Sequence, residues 1–239
     1  MVNIMEKKID FIVVGDIQTN CWLYSPGENT EPAAGAGKRS CVVIDPGDEA
    51  GKIISRLQKL NWIPGYIFLT HGHFDHVAGL PDLLDACGKG AFGPGPLPKV
   101  GIHRQDAHYL GKNALAVHRD SFSAAGGSPA YVDALFKTLP DADILFEEGD
   151  AAGPFRVLHI PGHTQGSVGF YDEKANILFS GDTLFQGDYG RTDLPGGNGE
   201  QLRQSLKRLF SMKGEIIVCP GHGPTTTVRE ASRALINTI

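Results

Sequence analysis

Six consecutive positions, His71-Gly72-His73-Phe74-Asp75-His76, carry three imidazoles and one carboxylate, all of them metal-ligand types. Buried as ordinary core, each of these groups would lose hydration that apolar neighbours cannot replace, whereas a divalent cation stabilises all of them at once. The cluster therefore restricts the chain to folds that can deliver a ligand-rich loop to an interior edge. Residues 66–69, Tyr-Ile-Phe-Leu, read as a short buried strand entering the loop, and residues 77–87 read as a helix leaving it. A strand, a ligand turn and a helix N-terminus form a rigid frame from which several side chains reach one cleft, which argues against a polar surface loop.

With 41% hydrophobic residues in 239, the chain can build one sizeable core, and a single domain over residues 1–239 is expected. A net charge of -5 gives no global basic field, so neither nucleic acid nor an anionic membrane is an expected partner. Cys21, Cys41, Cys87 and Cys219 are scattered and form no C-x-x-C pair, as expected of reduced, mostly buried thiols. Residues 1–10 lack the apolar run of a signal peptide, and no run of eighteen apolar residues occurs anywhere. The expectation is a cytoplasmic protein.

Short apolar runs bounded by Gly, Pro and Asp predict strands over residues 11–14, 21–24, 41–44, 66–69, 155–160, 168–171, 177–179 and 216–219. Helical spacing predicts helices over 50–60, 77–87, 201–212 and 228–236. A polar loop of hairpin length, 172–176, joins two of the strands, so the sheet is antiparallel at least in part. Residues 26–40 and 88–98 are rich in Gly and Pro and read as surface loops. Residues 103–140 form an Ala-rich, partly helical insert, either a lid or a plain connection.

Three further segments place ligand-type residues beside glycines after predicted strands: Pro161-Gly162-His163-Thr164, Ser180-Gly181-Asp182-Thr183 and Pro220-Gly221-His222-Gly223-Pro224. Singly, each is an ordinary turn. Together with the first cluster they form an H-x-H-x-D-H motif followed by a lone His, a lone Asp and a final His, and in this the chain resembles the metallo-beta-lactamase superfamily. The resemblance implies an α/β fold, an αββα sandwich of mixed sheets with helices on the outer faces and the site at one edge. It also implies two divalent metal ions, one held by His71, His73 and His163 and the other by Asp75, His76 and His222, with Asp182 as a bridge. Imidazole and carboxylate ligands suit zinc, and also iron or manganese. A water shared by two such cations ionises near neutral pH, and Asp75 and Asp182 become catalytic residues as well as ligands.

The runs from Gly181-Asp182-Thr183-Leu184-Phe185 to Gly190-Arg191-Thr192-Asp193, and Cys219-Pro220-Gly221-His222-Gly223-Pro224-Thr225, look like the glyoxalase II branch, especially its short single-domain bacterial members. That resemblance implies a hydroxyacylglutathione hydrolase-type thioesterase with a small-molecule thioester as partner. Asp182 disfavours antibiotic hydrolysis, because true beta-lactamases generally lack the bridging carboxylate. Seventeen residues follow His222, too few for the helical domain that binds glutathione in full-length glyoxalase II enzymes, so the thiol carrier is open. The alternatives are a mononuclear-iron persulfide dioxygenase, which shares the Gly-Arg-Thr-Asp segment, a lactonase, and a noncatalytic metal-binding protein. Tyr189 and Arg191 are candidate substrate contacts; the other reading makes Tyr189 a packing residue and Arg191 a brace paired with Asp193. Cys219 is expected in the core, and His103, His108, His118 and His159 fall outside the ligand pattern.

Overall fold

A computed structural model describes residues 8–26 and 38–236, and in it the strands sort into two six-stranded sheets. The first contains β1 (Lys8–Val14), β2 (Thr19–Ser25), β3 (Arg39–Ile44), β4 (Trp62–Phe68), β5 (Lys99–His103) and β6 (Ile144–Phe146), ordered as in the chain. β1 to β3 pair antiparallel and β3 to β6 parallel. The second contains β7 (Ala151–Ala152), β8 (Phe155–His159), β9 (Val168–Asp172), β10 (Ile177–Gly181), β11 (Ile217–Pro220) and β12 (Thr226–Thr227), antiparallel except where β10 and β11 run parallel.

Period-two alternation assigns each side chain to a layer. Cys21, Leu23, Cys41, Val43 and Ile67 point to an outer layer shared with α1 (Ala50–Leu60), α2 (Phe74–Val77) and α3 (Leu80–Gly88). Their neighbours Trp22, Tyr24, Val42, Ile44 and Phe68 point the other way, where they meet Phe155, Val157, Phe170, Phe179 and Cys219 of the second sheet. Leu158, Leu178 and Val218 face the opposite outer layer. The insert adds a 3₁₀ helix (Arg104–Tyr109), α4 (Ala114–Ala124) and α5 (Pro129–Leu135), and α6 (Gly199–Phe210) and α7 (Val228–Leu235) cover that second outer layer with Leu202, Leu206, Leu209, Ala231 and Leu235. Three apolar layers between helices and sheets make an αββα sandwich. No helix among the described residues is long and apolar enough to cross a membrane.

All eight predicted strands lie on observed ones, with four differences in bounds and connections. β4 begins at Trp62 because Pro64-Gly65 forms an irregularity: Cys41 pairs with Pro64 and Val42 with Tyr66, so Gly65 is skipped. The expected helix over 77–87 is two helices. They part at Ala78-Gly79, where the loop after β3 docks; Gly79 N–H donates to Pro46 O at 2.9 Å, and a Cβ on Gly79 would sit 2.7 Å from that oxygen. Of the loop expected over 26–40, residues 27–37 lie outside the described residues, and Arg39 and Ser40 already belong to β3. α6 starts two residues before the expected 201 because Asn198 caps it, accepting Gln201 N–H at 3.0 Å.

Candidate metal centre

Each ligand-bearing turn follows the C-terminal end of a strand: 70–76 after β4, 162–164 after β8, Asp182 after β10 and His222 after β11. The first belongs to one sheet and the others to its partner, so the site lies where both sheets end. Backbone hydrogen bonds join the two there, from Val168 N–H to Thr70 O (2.8 Å) and from Asn20 N–H to Gly221 O (2.7 Å). Residues up to 151 positions apart, His71 and His222, thereby share one cleft. Among the described residues, three groups have ligating atoms within 4.8 Å of one another: His71, His73 and His163; His71, His76 and Asp182; and Asp75, His76 and His222. The first and third match the two ligand sets implied by the sequence pattern. Asp182 borders both, with Oδ1 3.4 Å from His76 Nε2 and Oδ2 3.4 Å from His222 Nε2 and 3.7 Å from His163 Nε2.

Neighbouring acceptors orient the imidazoles. Thr70 Oγ1 donates to Asp45 Oδ2 at 2.7 Å, so its oxygen is left to accept from His71 Nδ1–H at 3.1 Å, and His71 Nε2 carries the lone pair. His76 Nδ1–H donates to Asp45 (3.0 Å), His163 Nδ1–H to Arg191 O (2.8 Å) and His222 Nδ1–H to Gln18 O (3.3 Å), each freeing Nε2 to ligate. His71 Nε2, His73 Nε2 and Asp182 Oδ1 are buried and make no hydrogen bond. His73 Nδ1 lies 2.8 Å from His163 Nε2, a spacing at which two lone pairs repel unless a proton or a cation lies between them. His71 Nε2 and Asp182 Oδ1, orphaned beside the facing His73 Nδ1 and His163 Nε2, fit a bound cation, because left bare each would keep its full desolvation penalty.

Electrostatics divides the ligands into two kinds. Burial holds His71 well below the usual imidazole range and His73 down at about 3, helped by the neighbouring histidines, so both are neutral ligands at physiological pH. Burial would also lower His76, but Asp75, Asp182 and Asp45 outweigh it and raise the imidazole well above its usual value; His222 likewise rises to about 10 against Asp182 and Asp75. Burial opposes ionisation of Asp75 and Asp182, yet His76 and His222 keep both carboxyls below their usual range. One half of the site is neutral imidazole and the other a network of charged His–Asp contacts.

A family model of the metallo-beta-lactamase superfamily matches residues 14–222, a span that holds all seven ligand-type residues. The chain belongs to that superfamily. Within it, the chain is 31% identical over 227 residues to hydroxyacylglutathione hydrolase GloC of Haemophilus influenzae, covering 95% of each chain. Its fold is similar to that of the BLEG-1 B3 metallo-beta-lactamase (TM-score 0.75, 32% identity, 95% of this chain and 97% of that one). It is also similar to TTHA1623, solved in a di-iron-bound form (TM-score 0.72, 35% identity, 94% of this chain and 98% of that one).

Around this superfamily centre, Arg191 pairs with Asp193 through two hydrogen bonds of 2.7 Å, and its carbonyl orients His163, which is the geometry of a brace. Tyr189 packs against the outer layer of the second sheet, and Cys219 is buried between the sheets. His103 and His159 stack on each other at 4.1 Å, His108 bonds Gln105 O, and His118 bonds Tyr109 O; no cation-sized group includes any of the four among the described residues. Two supporting acids escaped the sequence reading. Asp45 holds Thr70 and His76, while Asp106, fully buried, accepts from Gly72 N–H, Gly166 N–H and the Thr164 hydroxyl and so ties the 71–76 loop to the 162–166 loop. The Asp45 signal was present, an Asp directly after the apolar run 41–44; Asp106 had none.

Proposed function

We propose that this chain is a dinuclear metal-dependent hydrolase that cleaves thioesters of the hydroxyacylglutathione type. The observation that carries this reading is the position of Asp182, a carboxylate bordering both ligand groups at once. His71, His73 and His163 would hold one ion and Asp75, His76 and His222 the other, with Asp182 between them. Two divalent ions held there, zinc in this reading with iron and manganese also suited to the donors, would supply Lewis acidity toward an acyl carbonyl and a water-derived nucleophile near neutral pH. Asp75, whose Oδ2 accepts the Thr19 hydroxyl at 2.9 Å, and Asp182 are the carboxylates placed to take up a proton from water. Asp45, Asp106 and the Arg191 carbonyl keep the imidazoles aimed. Likeness to GloC supports a thioester rather than a lactam as substrate. The reading includes a cytoplasmic setting and a small-molecule partner, with Arg191 as a brace on His163 and Tyr189 as a packing residue.

Turnover of S-lactoylglutathione, measured on protein whose metals are counted by elemental analysis in the same sample, tests site and substrate together. Two metals per chain with hydrolysis are expected. A doubly loaded protein that opened a β-lactam and no thioester would replace this reading with a beta-lactamase, as BLEG-1 is named; one iron with oxygen uptake on glutathione persulfide would replace it with a dioxygenase.

A further inference from the structure

A cavity of about 190 Å³ opens beside the metal centre, between the 3₁₀ helix, α4, Gln165 and the 195–196 turn. Its inner wall is the Tyr109 ring, whose opposite edge backs the ligand cluster: it meets His73 edge-on with ring centroids 5.7 Å apart, and a Cβ on Gly72 would lie 2.3 Å from it. Gln165, on the cavity lining, follows His163 by two residues, so the cavity borders the turn that carries this ligand. The volume corresponds to about six water molecules at about 30 Å³ each, enough for a short side arm.

The polar groups facing this space are unusual for a packing defect. Ser121, 7% exposed, lines the cavity, and its Oγ is buried without a hydrogen-bond partner. The Tyr109 hydroxyl makes only a long 3.5 Å contact with Pro195 O. Burial pushes the Tyr109 phenol up and Asp106 adds to that, so the hydroxyl remains protonated and able to donate. Two underused hydroxyl donors thus face one cavity, with the exposed Asp120 carboxylate as an acceptor on its lining. The charged lining is Asp106 and Asp120 with His108 beside them; no Lys or Arg takes part. A ligand carboxylate would meet like charge here. A secondary amide would offer its carbonyl to the hydroxyls and its N–H to Asp120.

Building on the thioesterase reading, we propose that this cavity seats the thiol carrier of the substrate and recognises it through a neutral secondary amide, not through a carboxylate. Lactoyl thioesters of three carriers separate the terms: N-acetylcysteamine (amide, no charge), glutathione (amides and carboxylates) and ethanethiol (neither). The expected result is a kcat/KM at least ten-fold higher for the N-acetylcysteamine ester than for the ethanethiol ester, with no gain from glutathione. Ser121→Ala should raise KM for the N-acetylcysteamine ester about three- to ten-fold, the worth of one neutral hydrogen bond, with little change in kcat. Val117→Trp, which fills the cavity from α4, should bring the ratio between those two esters to about one; thermal melting of each variant verifies that it folds. Equal wild-type rates on the N-acetylcysteamine and ethanethiol esters would overturn the proposal. So would a ten-fold preference for glutathione, or a Val117→Trp ratio equal to the wild type's. If the wild type cleaves none of the three, the hydrolase reading fails separately, and the cavity is then judged by NMR titration with N-acetyl-S-methylcysteamine. Shifts at Ser121 and Gln165 that vanish in Val117→Trp would sustain it, and their absence in the wild type would overturn it.

Discussion

Asp45 shows how much of a metal centre can depend on one residue that touches no metal. Its carboxylate, 1% exposed, accepts Thr70 N–H at 2.8 Å, the Thr70 hydroxyl at 2.7 Å and His76 Nδ1–H at 3.0 Å, and Thr70 passes the constraint on to His71. One buried acid thereby fixes an imidazole from each half of the site. Asp45→Asn keeps the volume but weakens both contacts, and metal affinity should fall about 10- to 100-fold, read as metal retained after dialysis against chelators of graded strength; unchanged retention would remove Asp45 from this role. The raised histidines make a second prediction. His76 is raised well above its usual value by its aspartates and His222 up to about 10, so without metal His222 is protonated at pH 8, whereas a ligating imidazole must be neutral. Metal uptake at pH 8 should therefore release protons, about one per chain from His222 alone, and apparent affinity should strengthen as pH rises. A pH indicator in a weakly buffered titration reads the release directly, and no release would contradict the assignment of His222 as a ligand. The ligands themselves were legible because the four segments that carry them each hold a glycine after a predicted strand; Asp45 offered only its place directly after the apolar run 41–44 and Asp106 nothing, since a lone acid among turn residues looks the same whether it caps a loop or orients a histidine.

At the level of elements, the turns between strand and ligand carry the tightest tolerances. Gly221 N–H donates to Gly181 O at 2.9 Å, which draws the turn after β11 against the turn after β10. A Cβ on Gly221 would lie 2.1 Å from Asp182 Oδ1 and 2.8 Å from His76 Cε1. The clash falls on side chains rather than backbone, so Gly221→Ala should fold with an unchanged far-ultraviolet circular dichroism spectrum while Asp182 swings off both ligand groups. Elemental analysis should then find fewer than two metals per chain, and two retained metals would show that Asp182 is dispensable as a bridge. Strand legibility followed the same local physics. Runs such as 21–24 and 41–44 announce themselves because both faces are buried, between one layer of helices and the facing sheet. The first half of β4 was hidden by Pro64-Gly65, which reads as a turn and is accommodated as an irregularity in pairing. β5 and β6 were missed because they are short, five and three residues, and one of them contains Gly101.

Across the whole molecule, the ligands come from both sheets while the three apolar layers contain none of them. The fold and the candidate metal centre are therefore separable in one direction only: the sandwich closes through its core, and ions held in the cleft would act afterwards as staples across its edge. With free metal at a hundred times its dissociation constant, each site adds about 2.7 kcal/mol to the folded state. For a chain of this size 1 kcal/mol moves Tm by about 2–4 °C, so two sites amount to roughly 10–20 °C. Chelation should lower Tm by that order while leaving the circular dichroism spectrum at 20 °C unchanged. Phe68→Ala supplies the opposite case. Phe68 packs between the sheets against Phe146 (ring centroids 5.2 Å), Phe155 (6.5 Å) and Phe170 (5.3 Å), and its truncation should cost about 3–5 kcal/mol whether or not metal is present. Its loss of Tm should then add to that caused by chelation, because the inter-sheet core and the metal cleft share no side chain. If chelation left Tm where it was, the ions would be bound without joining the sheets; if it melted the protein at 20 °C, closure of the sandwich would itself depend on them.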